Sequence, residues 1–169
     1  NLSRVVDFND RNTCILFGDG AAAAVISKSD TLYSSYLGSD GSIANVLFAR
    51  SVNTNEKFAA ESDFNDGFEG NNMHAIYQNG KEVYKFAVKA LPHAFEKSAE
   101  KIGISADEID LFVPHQANLR ILETAAKNLG VSMDKFFVSL DKFGNTSSAS
   151  IPIALDIALE ENKIKNGDK

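Results

Sequence analysis

The chain of 169 residues is long enough for one domain with a real core, and its composition is that of a soluble globular protein: 44% hydrophobic, 24% charged, no tryptophan. A formal charge of -6 argues against a general nucleic-acid binder, and no run of about 18 apolar residues is present to span a membrane. Arg4, Asp7, Asp10 and Arg11 break up any hydrophobic leader, while the single cysteine, Cys14, excludes an internal disulfide and fits a reducing cytoplasm. The chain opens in a polar segment and closes on the turn Asn166-Gly167-Asp168-Lys169, so both ends read as cut from a longer protein.

Two short apolar runs, 13–17 and 21–26, flank Gly18-Asp19-Gly20 and predict two strands about a glycine turn. No helix follows and the spacing is not that of a nucleotide loop, so the glycines point to close backbone approach. Cys14 falls inside the first run as a small buried hydrophobe rather than a nucleophile. Residues 32–37 alternate as a further strand. The stretch 53–79 is rich in Asn, Asp, Glu and Gly and reads as a long excursion packed down by Phe58, Phe64, Phe68 and Tyr77.

The longest helix is expected over 80–102. Val83, Phe86, Ala87, Ala90, Leu91, Ala94 and Phe95 form its apolar stripe, and Lys81, Lys85, Lys89 and Lys97 its positive face. Pro92 should kink this helix near Val88, because the ring displaces that carbonyl and carries no amide hydrogen. Ser105 caps a short turn, residues 111–113 form a strand stopped by Pro114, and a helix follows over 118–129. Leu119, Leu122, Ala126 and Leu129 set the spacing of that helix and Gly130 ends it. A strand over 136–140 leads to Gly144-Asn145-Thr146-Ser147-Ser148, and a helix starting between 147 and 150 carries Ile151, Ala154, Leu155, Ala158 and Leu159 on one side. Pro152 then sits in its first turn. Alternating strands and helices predict an α/β chain with a parallel or mixed sheet.

In such folds the turns after strands hold the chemistry, which makes His115, Gln116 and Asn118 the first suspects; Asn118 also suits the N-cap of its helix. Asn145 occupies the next such junction. Successive crossovers bring these turns to one sheet edge, so His115 and Asn145 are expected to converge and to present two neutral donors to a thioester oxygen or an enolate. His74, His93 and His115 have neither ligand spacing nor cysteine partners, so no metal site is expected.

VPHQANLRI and GNTSSASIPIAL, preceded by RNTCILFGDGAAAAV and NGKEVYKFAV, resemble the β-ketoacyl-acyl carrier protein synthase III family over nearly the whole chain. The resemblance implies a thiolase-like layered α/β/α/β/α fold. Residues 1–29 would be the final strands of its N-terminal half, and 30–169 the C-terminal half without its closing hairpin. It also implies transfer of an acyl group from coenzyme A to a cysteine, then condensation with malonyl-carrier protein. In that scheme His115 and Asn145 match the catalytic pair that stabilises the enolate. Ala117 and Asn118 match the coenzyme A tunnel, and Arg11 the arginine stacked on adenine.

Arg120, Lys85 and Lys127 match positions that meet the acidic carrier protein, with Lys81 and Lys89 extending the row. No cofactor is implied beyond coenzyme A thioester as substrate. The full-length relatives are cytoplasmic homodimers, with no nucleic acid or membrane as partner. The family's cysteine has no counterpart here, so this chain alone is expected to be inactive. Two other readings remain: a related acyltransferase with a different acceptor, and a non-catalytic module that binds carrier protein through the basic helix.

Overall fold

The computed structural model describes residues 2–28, 33–49 and 75–169. Much of the 53–79 excursion, with His74, lies outside the described residues. The elements are β1 (Leu47–Ala49), β2 (Ile76–Gln78), α1 (Gly80–Glu100), α2 (Leu119–Leu129), α3 (Leu140–Phe143) and α4 (Ser150–Glu160). β1 and β2 pair antiparallel, with Phe48 opposite Tyr77. None of these described helices is long and apolar enough to cross a membrane.

Residues 111–113 and 136–138 lie side by side in parallel, with the Phe112 amide donating to Lys135 O (2.7 Å) and the Phe137 amide to Phe112 O (2.9 Å). Their side chains alternate between two cores. Phe112, Phe136 and Val138 pack with Leu91, Leu122 and Ala126, whereas Leu111, Val113 and Phe137 pack with Ala154, Ala158 and Ile157. This period of two places α1 and α2 on one face and α4 on the other, an α/β/α sandwich in cross-section. Phe112 is the hinge of the first core, stacked on Phe136 with ring centroids 4.8 Å apart and edge-on to Phe95 at 5.2 Å.

The helices follow their local signals. Asn79 and Asn118 cap α1 and α2, each accepting a backbone amide of the first turn, and Gly130 closes α2 with φ 70°. The Glu108 carboxylate accepts from both the amide and the hydroxyl of Ser105. Pro92 lies buried within α1, and Val88 O, which it deprives of an intrahelical partner, accepts from Asn128 Nδ2 of α2 at 3.2 Å.

Several sequence expectations are corrected. Residues 13–16 form turns, with Cys14 donating to Asp10 O and Leu16 to Thr13 O; only Phe17 bridges, in parallel, to Asn145. Residues 21–28 form no regular element and are exposed, Val25 at 99%, with no backbone hydrogen bond among the described residues. Residues 33–37 form no strand and instead dock on α1, where Ser34 Oγ donates to Ser98 O and Lys101 Nζ to Ser35 O. The expected strand over 136–140 gives way to α3 at Leu140. An apolar run becomes a strand only where a neighbour pairs with it along its length: among the described residues 21–28 and 33–37 find no ladder partner, while 13–17 and 136–140 pair at single bridges, Phe17 with Asn145 and Phe136 with Phe112. The helix stripes are likewise only half covered: Phe86, Leu119, Ile151, Leu155 and Leu159 are 42–53% exposed.

Candidate active site

Two strand-to-helix junctions build one cleft of about 890 Å³, whose wall includes His115, Ala117, Asn118, Arg120 and Asn145, with Tyr84 and Phe86 from α1. The sequence-predicted catalytic pair and the two expected coenzyme A positions therefore border one space. Arg11, Lys85 and Lys127 are exposed and lie outside that wall, and Lys85 is ion-paired to Glu82 at 2.7 Å.

Asn145 is held by its backbone. Its amide donates to Leu16 O and its carbonyl accepts from Gly18 N, both at 2.9 Å. That crossing demands glycine on each side. A Cβ on Gly18 would collide with the Phe143 carbonyl, and Gly144 adopts φ 66°, ψ -161°, a conformation nearly restricted to glycine. The predicted close backbone approach at Gly18 is thus the contact that sets Asn145. Its Oδ1 accepts from Ser147 N (2.9 Å), which orients the side-chain amide and leaves the Nδ2 donors unengaged among the described residues.

His115 follows the buried Pro114 and is itself half-buried. Its Nδ1 lies 2.5 Å from Ser150 Oγ, and no described group engages Nε2. Burial pushes the imidazole pKa below its ordinary value, because the charged form loses water without gaining a counter-ion. The ring is neutral at physiological pH. An amide and a neutral imidazole at one cleft wall can share a developing oxyanion, since each can donate without bringing a charge that must be desolvated.

Gln116 ties the two junctions together. At 1% exposure its Nε2 donates to Pro114 O (2.9 Å) and Phe137 O (3.1 Å), while its Oε1 accepts from Ser139 N (2.9 Å). Thr124 Oγ1 donates to Arg120 O (2.8 Å) and so accepts from Tyr84 Oη (2.9 Å), fixing α1 against α2 beside Arg120. Sequence reasoning missed Ser150 and Tyr84. Ser150 offered only its place at the start of a helix, and Tyr84 only its place among the apolar residues of α1. Among the described residues no group of three or more His, Cys, Asp or Glu side chains is placed to hold a metal ion.

The family description "3-Oxoacyl-[acyl-carrier-protein (ACP)] synthase III" matches residues 1–41, and its C-terminal counterpart matches 99–169. Among curated proteins, the chain is similar to β-ketoacyl-[acyl-carrier-protein] synthase III of Natranaerobius thermophilus, 45% identical over 99% of this chain and 51% of the relative. It is also similar to that of Caldanaerobacter subterraneus subsp. tengcongensis, 42% identical over 99% and 50%. The crystal structure of 3-oxoacyl-[acyl-carrier-protein] synthase III from Aquifex aeolicus VF5 superposes with a TM-score of 0.83 at 37% identity, covering 99% of this chain and 48% of that one. The fold is accordingly a partial thiolase-like α/β fold, and the chain spans about half the length of the curated relatives it matches. With both junction motifs inside the matched segments and the α/β/α layering shared along the chain, it belongs to the β-ketoacyl-acyl carrier protein synthase III family.

Proposed function

We propose that this chain is the C-terminal part of a β-ketoacyl-acyl carrier protein synthase III, with residues 1–29 completing the N-terminal half and 30–169 forming the second. In this reading His115 and Asn145 bind the thioester carbonyl of malonyl-carrier protein. The bond between the malonyl methylene and its carboxyl breaks, carbon dioxide leaves, and the electron pair moves into an enolate whose oxygen the two residues hold. The enolate carbon then attacks an acyl-cysteine thioester and expels the cysteine thiolate. That cysteine is supplied from outside this chain, because Cys14 lies in a turn and does not itself line the cleft.

One observation carries the reading: two polar side chains from separate junctions border the same cleft, each with a nitrogen, His115 Nε2 and Asn145 Nδ2, that no described group engages. Ala117 and Asn118 line the coenzyme A path at its wall, and Arg11 meets the adenine end. Acidic carrier protein docks over Arg120, Lys85 and Lys127, and the full-length protein works as a cytoplasmic homodimer. The isolated chain condenses nothing.

The test is carbon dioxide release from malonyl-carrier protein by the full-length protein. His115→Ala and Asn145→Ala should each slow it by about a hundredfold or more. Unchanged release in both variants would remove this pair from catalysis, and β-ketoacyl formation by the isolated chain would overturn its assignment as half a site.

A further inference from the structure

Ser150 is the first residue of α4 and is 2% exposed. Its Oγ lies between two groups of the 114–116 turn. His115 Nδ1 is 2.5 Å away, and the Gln116 amide donates to it at 3.2 Å. A serine hydroxyl has one hydrogen to give and two lone pairs to receive with. The Gln116 amide can only donate, so it occupies a lone pair. Among the described residues the acceptor left for the Ser150 hydrogen is His115 Nδ1. If Nδ1 carried the ring proton, Oγ would face two donors and its own hydrogen would be buried without a partner, an arrangement that leaves a polar group unpaired.

We infer that Ser150 is a positioning residue that donates to His115 Nδ1 and so holds the imidazole as the neutral Nε2–H tautomer. The position of Ser150 is itself constrained from both sides. α4 begins there, and Gln116, whose amide meets it, is locked by three side-chain hydrogen bonds to the 114 and 137–139 backbone. The ring therefore has its single proton on the nitrogen that no described group engages. Burial of the imidazole acts in the same direction by disfavouring a second proton. This inference rests on the reading of His115 as a donor to a thioester carbonyl, because only then does the tautomer matter for turnover.

The experiment uses the full-length protein with nitrogen-15 in its histidine rings, and His115→Gln identifies the His115 signals. Above about pH 7.5, where a free imidazole is neutral, two-bond proton–nitrogen correlations should show His115 protonated at Nε2 and accepting at Nδ1. Ser150→Ala should disturb that pattern, lower kcat for malonyl decarboxylation by about tenfold with little change in KM, and move the acid limb of the pH profile upward. The upward shift follows because a bond to the neutral ring has been lost. Ser150→Thr, which keeps the hydroxyl, should recover both the pattern and the rate.

An Nδ1–H pattern in the unsubstituted protein overturns the inference, and so does a Ser150→Ala protein with unchanged ring signals. The two readings fail separately. Nε2–H signals with normal decarboxylation by His115→Ala would sink the catalytic role and leave the positioning by Ser150 standing. Nδ1–H signals with decarboxylation abolished in His115→Ala would do the reverse.

Discussion

Ser139 donates its backbone amide to Gln116 Oε1 at 2.9 Å, joining the end of one parallel strand segment to the turn that follows the other. The remaining donors of that side chain go to Pro114 O and Phe137 O, so one buried amide spans both segments. Gln116→Glu presents carboxylate oxygens to two carbonyls that previously received hydrogens. It should destabilise the protein by about 3–5 kcal/mol at neutral pH and by less in acid, where a protonated carboxyl can donate one bond. Denaturant titration at both pH values checks this, and a neutral outcome would mean that the side chain is not the link between the segments.

The lowered pKa of His115 has a fixed sign. Between its native value and about 6.5, the ordinary value of histidine, the unfolded chain binds a proton that the native ring refuses. The contribution of His115 to stability is therefore fully present above about pH 6.5 and is lost as pH falls through the native value. The protein should lose more stability on acidification than His115→Gln does, and thermal melts at several pH values compare the two. Decarboxylation should likewise keep its rate to a pH below the ordinary histidine range.

Pro92 and Asn128 should show coupled energetics. Asn128→Ala leaves Val88 O without its donor and should cost about 0.5–1 kcal/mol, modest because water can reach the site. Pro92→Ala restores an amide able to meet Val88 O within α1, so Asn128→Ala made in that background should cost much less. A double-mutant cycle with no interaction energy would show that the proline does not create the need for Asn128.

Gly18→Ala places a methyl against the Phe143 carbonyl, a backbone atom that cannot swing aside. The cost should reach about 1–3 kcal/mol or more, and decarboxylation should fall with it, because the same backbone pairing holds Asn145. Loss of stability with full activity would separate the crossing from the site.

Arg120 is exposed at the cleft wall, whereas Lys85 is already paired to Glu82. Charge reversal by Arg120→Glu in the full-length protein should raise KM for the carrier-bound substrate about tenfold or more, and Lys85→Glu should raise it less. Equal effects from the two would argue for a diffuse charge rather than a dock centred on Arg120.

The local sequence determined α1, α2 and α4, whereas α3 was read as the end of a strand. Asparagine caps, the left-handed Gly130 and the 3,4 spacing of apolar residues act over one or two turns, within reach of the residues that carry them. The motifs at 113–121 and 144–155 likewise contain the whole of each junction, so His115, Asn118 and Asn145 were legible from their own neighbourhoods. Strands were not. Residues 21–26 and 136–140 are equally apolar runs, yet pairing depends on a partner that the run itself does not encode. Only the tertiary structure decided that Phe112 meets Phe136, that Gly18 passes against Phe143, and that the hydroxyl of Ser150 falls beside the ring of His115. Those contacts join residues 24 to 125 positions apart, and their geometry follows from how whole layers pack rather than from any pattern along the chain.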